Sequence, residues 1–339
     1  MPLFAANVGT MRIKTASFTS TILMFLLLGT TVSQDPIETV RIDSDLVDLK
    51  VSVLGLSSDA DAALLQQKDF QVLEDGTPQE IAFFAAADAP FDLVLMLDIS
   101  GSTSGKLKMI RRSAKRFVDA ARPIDRIAVA TFTDQLFLLS KFTLDRRQLK
   151  KDLDQVDDAF GGTNFWDSLD FVLKDLVPQN EGLRRTAIVV MTDGVDNALP
   201  DVKGPGSELP FENLLTNIRN SEALVFPVYL DTEEEDIRKY RVPRSAYATA
   251  REQLAQIATA SGTTMYRAAK LEDLDRLYAQ VIRDLSRVYS IGYRPSNRTL
   301  DGTWRNVQVQ LVGRPNLQAR TKRGYFAQRS PIRGTNSVR

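Results

Sequence analysis

The chain has 339 residues, with 43 basic and 43 acidic, 43% hydrophobic and 25% charged. This is the composition of a globular protein of about two domains, with no bulk charge to recruit nucleic acid or a membrane surface. It has no histidine and no cysteine, which excludes Ser-His-Asp and thiol catalysis, His- or thiolate-ligated metals and disulfides, so any bound metal must be held by oxygen.

The N-terminus reads as a targeting segment. Arg12 and Lys14 precede an apolar stretch centred on Ile22 to Leu28, followed by the small residues Thr31 and Ser33. That is the layout of a secretory signal peptide over 1–33, cleaved before Gln34, with Met11 as an alternative start. The apolar core is short of the roughly 20 residues of a membrane span; the alternative is an uncleaved anchor. Export to the periplasm, the medium or the cell surface follows.

Residues 36–88 carry short alternating runs, "VDLKVSVLGL" and "FQVLEDGTPQEIAFFAA", with a turn at Asp75-Gly76. They read as half-buried β segments. The pattern then changes. "FDLVLML" (91–97) is a continuous apolar run, as in a strand covered on both faces. Leu107, Ile110, Ala114, Phe117, Val118 and Ala121 follow at helical spacing. "RIAVATF" (126–132), "TAIVVMT" (186–192) and "LVFPVYL" (224–230) are further buried strands. Helices are predicted over 144–156, 164–176, 210–223, 245–262 and 271–287, with a short strand at "TTMYRA". This alternation predicts an α/β fold with a doubly wound, mostly parallel sheet, whose ligand site lies at the carboxyl ends of the strands. Residues 288–327 return to β patterning ("VYSIGYRP", "WRNVQVQLV", "LQARTKRGYF"), and 328–339 form a loose basic tail. Neither flank is long enough for a sandwich alone. They are therefore expected to pair into one small β-sandwich-like domain, with the α/β domain (89–287) inserted between them.

The chemistry concentrates where "FDLVLMLDISGSTSGK" leaves its strand. As a phosphate-binding loop the glycines are one residue short, and Leu107 stands where a hydroxyl is needed. As a nucleophile elbow it lacks a histidine. As a phosphoaspartyl site it has Ser100 where a second carboxylate belongs. The metal reading fails on no residue. Asp98, Ser100 and Ser102 alternate past the strand end. Thr163 follows the Gly161-Gly162 pair, and Asp193 ends the strand "TAIVVMT" with Gly194 allowing the turn. Two carboxylates 4 Å apart repel by about 4 kcal/mol at intermediate dielectric, and a divalent cation reverses the sign. Hydroxyl and carboxylate oxygens suit Mg²⁺, Mn²⁺ or Ca²⁺.

These residues resemble the von Willebrand factor type A domain over roughly 89–287, whose metal-ion-dependent adhesion site is D-x-S-x-S, then a threonine, then an aspartate. The resemblance implies that Ser100 and Ser102 hold the ion directly, that Thr163 and Asp193 exchange between direct and water-mediated contact, and that Asp98 acts mostly through water. It also implies that an Asp or Glu of a protein partner completes the site, and that occupancy couples to a shift of the last helix. The flanking motifs are similar to secreted bacterial proteins of this class, well represented in Acidobacteria. The expected function is an exported, metal-dependent, non-enzymatic protein-binding module. The alternatives are a structural scaffold with a vestigial site and a metal-assisted hydrolase, for which Asp134 or Asp196 is the available base. Asp196 and Asn197 read as turn residues, Trp166 as packed rather than a rim contact, and "EEED" (233–236) as a solvated loop.

Overall fold

The computed structural model describes residues 46–56, 65–103, 106–157, 161–177, 184–240 and 242–327. The leader and tail segments read from the sequence lie outside these residues. Among the described residues no helix is long and apolar enough to cross a membrane.

The central sheet has six strands in the order β10-β9-β8-β5-β6-β7. These are β5 (Phe91–Asp98), β6 (Arg126–Phe132), β7 (Leu136–Thr143), β8 (Arg185–Thr192), β9 (Leu224–Leu230) and β10 (Tyr266–Ala268). β5, β6, β8, β9 and β10 run parallel to one another. Every residue of β5 and β9 is buried, as continuous apolar runs require when helices cover both faces. β7 was not foreseen. It pairs antiparallel with β6 along the sheet edge with two register breaks, which makes the sheet mixed.

Alternate residues of each strand face opposite layers. Phe91, Leu93, Leu95 and Leu97 pack with α1 (Leu107–Ala120), α2 (Arg146–Asp154) and α7 (Leu274–Leu285). Val94 and Met96 pack with α3 (Phe165–Phe171), α4 (Phe211–Asn220) and α6 (Arg244–Ser261). α3 runs on into a single π turn, Val172–Leu176. The acidic run expected to be a loop instead opens a helix, α5 (Glu233–Tyr240). From β5 the chain moves to β6 and β7 on one side, then returns to β8, β9 and β10 on the other. The topological switch therefore lies between β5 and β8, where α/β sheets open a crevice at their carboxyl ends.

The flanks interleave in two antiparallel sheets, β13-β1-β11-β4 and β14-β12-β2-β3. The first flank supplies β1 (Val47–Leu54), β2 (Phe70–Glu74), β3 (Thr77–Gln79) and β4 (Ile81–Ala85). The second supplies β11 (Val288–Tyr293), β12 (Trp304–Leu311), β13 (Gln318–Arg320) and β14 (Gly324–Phe326). Both Asp75 (φ 47°) and Gly76 (φ 81°) are left-handed, the geometry of a two-residue hairpin turn between β2 and β3. Leu49, Val51 and Val53 face Phe70, Val72, Val307 and Val309 in one shared core. Glu74, only 3% exposed, accepts hydrogen bonds from the Tyr293 and Tyr325 hydroxyls at 2.6 and 2.8 Å, which satisfies a carboxylate that would otherwise be costly inside a sandwich.

Among the described residues two segments connect sandwich and α/β layers, and one arginine holds both. Arg185, 2% exposed at the start of β8, donates to the carbonyls of Ala87 (2.8 Å) and Ala89 on the first segment and of Val288 on the second. Its guanidinium lies 4.1 Å from the Phe91 ring centre. Burial, and secondarily the Arg122 charge, press against its ionisation, so these carbonyls and the ring carry the compensation. Arg122 adds a bond to the Ala89 carbonyl at 2.9 Å while paired with Asp125 at 2.7 Å. Replacing Arg185 with methionine should remove three hydrogen bonds, leave Arg122 as the side-chain donor to the Ala87 and Ala89 carbonyls, and cost about 2–4 kcal/mol. The two tryptophans report separately, Trp166 on α3 and Trp304 on β12. In single-tryptophan urea titrations the two transitions should coincide in the parent protein and separate in Arg185→Met.

Candidate metal centre

The crevice between β5 and β8 is built from two carboxylates with no room to avoid each other. Asp98 ends β5 and is 0% exposed; Asp193 follows β8 and is 1% exposed. Parallel pairing of Leu97 with Met191 sets their strands side by side, so both acids leave the sheet at the same level. Burial, and then the Asp193 charge, push Asp98 up to about 7. Asp193 is also raised, chiefly by burial.

Hydroxyls link the two acids. Ser100 Oγ donates to Asp98 Oδ1 at 2.6 Å and lies 3.3 Å from Ser102 Oγ, and the Ser102 hydroxyl in turn acts on Asp193, favouring its charged form. Four of the five residues singled out in the sequence thus form one chain of oxygens: Asp98, Ser100, Ser102, Asp193. The spacing explains it. Asp98 accepts the Ser100 backbone N–H at 3.0 Å, which curls the chain into a tight turn (Gly101–Thr103) and aims alternate hydroxyls at one point. Helix α1 begins only at Leu107 with Lys106 as its N-cap, so Asp98 is not that helix's cap.

Thr163, 6% exposed, comes in on the neighbouring loop. Its N–H donates to the Asn197 side-chain oxygen, and its carbonyl accepts the Asn197 N–H, both at 3.0 Å. A Cβ on Gly101 would stand 3.7 Å from the Gly161 carbonyl, which places this loop directly against the Ser100–Ser102 turn.

Two threonines that the sequence did not single out hold the acids from behind. Thr192 Oγ1 donates to Asp98 Oδ2 at 2.6 Å and accepts the Gly194 N–H at 2.8 Å. Thr232, just past β9, donates to Asp193 Oδ2 at 2.8 Å. The turn after Asp193 needs Gly194, at φ 74°, where a Cβ would also come within 2.8 Å of Leu254. Asp196 and Asn197 are turn residues, as expected, but their role is larger. Asp196, fully buried, accepts the Trp166, Ala198 and Ser207 N–H groups and the Ser207 hydroxyl at 2.6–3.0 Å. It thereby ties the start of α3, beside Thr163, to the loop after Asp193. Only their place in "TDGVDN", a run of turn formers, hinted at this. Trp166 is 7% exposed and packs on Phe211 at 5.6 Å. Asp134 is exposed at the rim and accepts the Thr133 hydroxyl at 2.8 Å.

Among the described residues no group of three or more His, Cys, Asp or Glu could hold a metal ion, so a cation here depends on serine and threonine hydroxyls. The donor set fits such an ion. Two buried carboxylates press each other toward the neutral form, and Lys106 is an opposing charge that acts on Asp193 while its ammonium is tied to the Ser102 carbonyl at 2.9 Å. Hard oxygen donors of this kind match Mg²⁺, Mn²⁺ or Ca²⁺.

The von Willebrand factor type A domain model matches residues 92–280, more than half of the chain. The human voltage-dependent calcium channel subunit alpha-2/delta-2 is 28% identical over 131 residues, covering 35% of this chain, and the match spans only 11% of that relative's length. Among solved structures, the conserved hypothetical protein BatB from Bacteroides thetaiotaomicron is 19% identical, covering 58% of this chain and 99% of that one with a TM-score of 0.43. Proximal thread matrix protein 1 from the mussel byssus, with a zinc-occupied MIDAS motif, is 16% identical, covering 62% and 49% with a TM-score of 0.45. The chain belongs to the von Willebrand factor type A domain family.

Asp196→Ala would leave three loop N–H groups without their acceptor and should lower stability by about 3 kcal/mol. Hydrogen exchange should show lost protection at the Trp166, Ala198 and Ser207 amides, with amides in the sandwich unchanged.

Proposed function

We propose that this von Willebrand factor type A protein is an exported binding module that captures a carboxylate of a protein partner through a divalent cation held by Asp98, Ser100, Ser102, Thr163 and Asp193. The observation that carries the reading is the Asp98–Ser100–Ser102–Asp193 chain across the topological switch. Two acids buried together are a standing cost in a protein with no other use for them. A bound Mg²⁺, Mn²⁺ or Ca²⁺ would supply an open coordination position for an acidic group. The chain's own residues do the remaining work. Asn197 holds the Thr163 loop in place, Thr192 and Thr232 fix the carboxylate rotamers, and the Ser100–Ser102 turn presents hydroxyls rather than more charge. Only two of the five donors are charged, which leaves the site receptive to a partner's Asp or Glu.

Binding rather than catalysis is favoured by the state of the two candidate bases. Both Asp196 oxygens are engaged by four donors, so none is left to take a proton from water. Asp134 points from an exposed rim loop. Membership of the secreted, Acidobacteria-like branch of the family is part of the same proposal and rests on the flanking motifs and the basic, then apolar N-terminal segment.

Calorimetric titration of the chain from residue 34 onward tests the site. Mg²⁺ or Mn²⁺ should bind at micromolar to millimolar levels, and Asp98→Ala and Asp193→Ala should each abolish binding while circular dichroism shows both still folded. A wild type that takes up no divalent ion would sink the proposal and leave the scaffold role of the flanking sheets. A linked measurement is thermal: at a cation concentration of 100 Kd the wild type should gain about 2.7 kcal/mol of stability, and neither variant should respond.

A further inference from the structure

A second hollow lies at the opposite edge of the central sheet. α4 and α6 each run back against the parallel strands, so their C-terminal ends sit at the amino ends of the strands, away from the Asp98–Asp193 crevice. There they meet β12 and β14 of the sandwich around a cavity of about 580 Å³, within the size range of small-ligand sites. Trp304 and Phe326 form one wall, edge to face at 5.0 Å between ring centres. Arg219, in the last turn of α4, and Arg323, just before β14, bring their side chains to the same space. Neither guanidinium has an ion-pair or hydrogen-bond partner among the described residues. Across from the rings, α6 contributes Glu252 and Gln256, side chains in contact with each other at 3.3 Å, and the small residues Ala255 and Thr259 that leave the hollow open. An adjoining cavity of about 460 Å³ shares Ala255, Thr259 and Arg323 and adds Arg320 to its wall.

We propose that this trough binds an acidic oligosaccharide, a chain of uronate sugars. Each part of the wall selects for one part of such a ligand. Aromatic rings accept the apolar face of a sugar ring. Guanidinium groups pair with carboxylates in a bidentate fork. Gln256 and Glu252 receive hydroxyls, a demand that a simple anion does not meet. Arg219, Arg323 and Arg320 along two joined cavities match charges repeated from one sugar to the next rather than a single anion. No metal is required, because the charge is already on the protein.

The test is calorimetry on the full chain in the presence of a chelator, which silences the crevice. The probes are tetragalacturonate, the neutral cellotetraose and adenosine monophosphate. Tetragalacturonate should bind, weaken as salt is raised, and lose at least about tenfold in affinity in the double variant Arg219→Gln/Arg323→Gln. Neither guanidinium has a partner among the described residues, so the variant should stay folded. Trp304→Phe, which keeps a ring in the wall, should retain binding. The proposal is overturned by no binding at millimolar tetragalacturonate, by equal affinity for cellotetraose, by undiminished binding in the double variant, or by tighter binding of adenosine monophosphate, which would assign the trough to nucleotides. Success or failure here is independent of the metal reading, since the chelator removes that site from every arm.

Discussion

The constraint on which the strand-end loops depend is the burial of two carboxylates side by side at the ends of β5 and β8. Like charges about 4 Å apart repel by about 4 kcal/mol even at intermediate dielectric, and both acids are shut away from solvent. Every donor within reach is recruited to offset this. The Ser100 N–H and hydroxyl and the Thr192 hydroxyl serve Asp98, and the Val195 N–H with the Thr232 and Ser102 hydroxyls serves Asp193. Those donors dictate loop shape. The turn after Asp98 is tight so that Ser100 and Ser102 converge, and Gly194 is left-handed so that Val195 can turn its N–H back onto Asp193. Asp196 and Asn197 then bind the Thr163 loop to that same turn. The candidate site is therefore a set of mutually dependent loops rather than five separate side chains.

The two edges of the sheet balance buried acids in different ways, with hydroxyls and N–H groups at the carboxyl edge and arginines at the other. The carboxyl edge gathers buried acids where helices begin, and the N-terminal end of a helix dipole favours negative charge. Arginines gather at the other edge, where helices end. Arg122 follows α1, Arg219 closes α4, and Arg184 and Arg126 both pair with Asp92 at 2.6–2.8 Å. Arg185 uses the same chemistry for a mechanical purpose, binding the carbonyls of both connecting segments at once. A lysine could not do this, because the planar fork reaches several acceptors in fixed directions.

Much of this was legible in the sequence wherever burial is complete. β5, β6, β8 and β9 read as uninterrupted apolar runs because both of their faces are covered, and α1 and α7 read from stripes of Leu, Ile and Val. The interleaving of the flanks followed from their being too short to close alone. β7 escaped because "LFLLSKFT" is half exposed at a sheet edge and keeps no clean alternation, its register being broken twice. α5 escaped because its opening acids resemble a solvated run, although Glu233 is paired with Arg251 at 2.7 Å. The five residues of the candidate site stand out in the sequence as a spaced motif. Thr192 and Thr232 do not, since a threonine at a strand end has no signature until the register of three neighbouring strands is known. Arg185, just before "TAIVVMT", carries no signal in the sequence, and only the convergence of two distant connectors at its guanidinium gives it a role.

That convergence bears on how the two layers can move. α7 passes into β11 with only Ser286 and Arg287 between them, and Arg287 is already engaged, its carbonyl accepting the Val53 N–H at 3.2 Å. β11 is fully buried and lies between β1 and β4, paired with both. A displacement of α7 along its axis would have to pull β11 against two ladders and break the Arg185 bond to the Val288 carbonyl. The junction leaves no slack to absorb such a shift locally. Any movement of the last helix would be felt as a change in the sandwich itself, while motions confined to the Asp98, Thr163 and Asp193 loops stay free of it. The fold thus places its adaptable polar loops at one edge of the sheet and its least yielding contacts at the other.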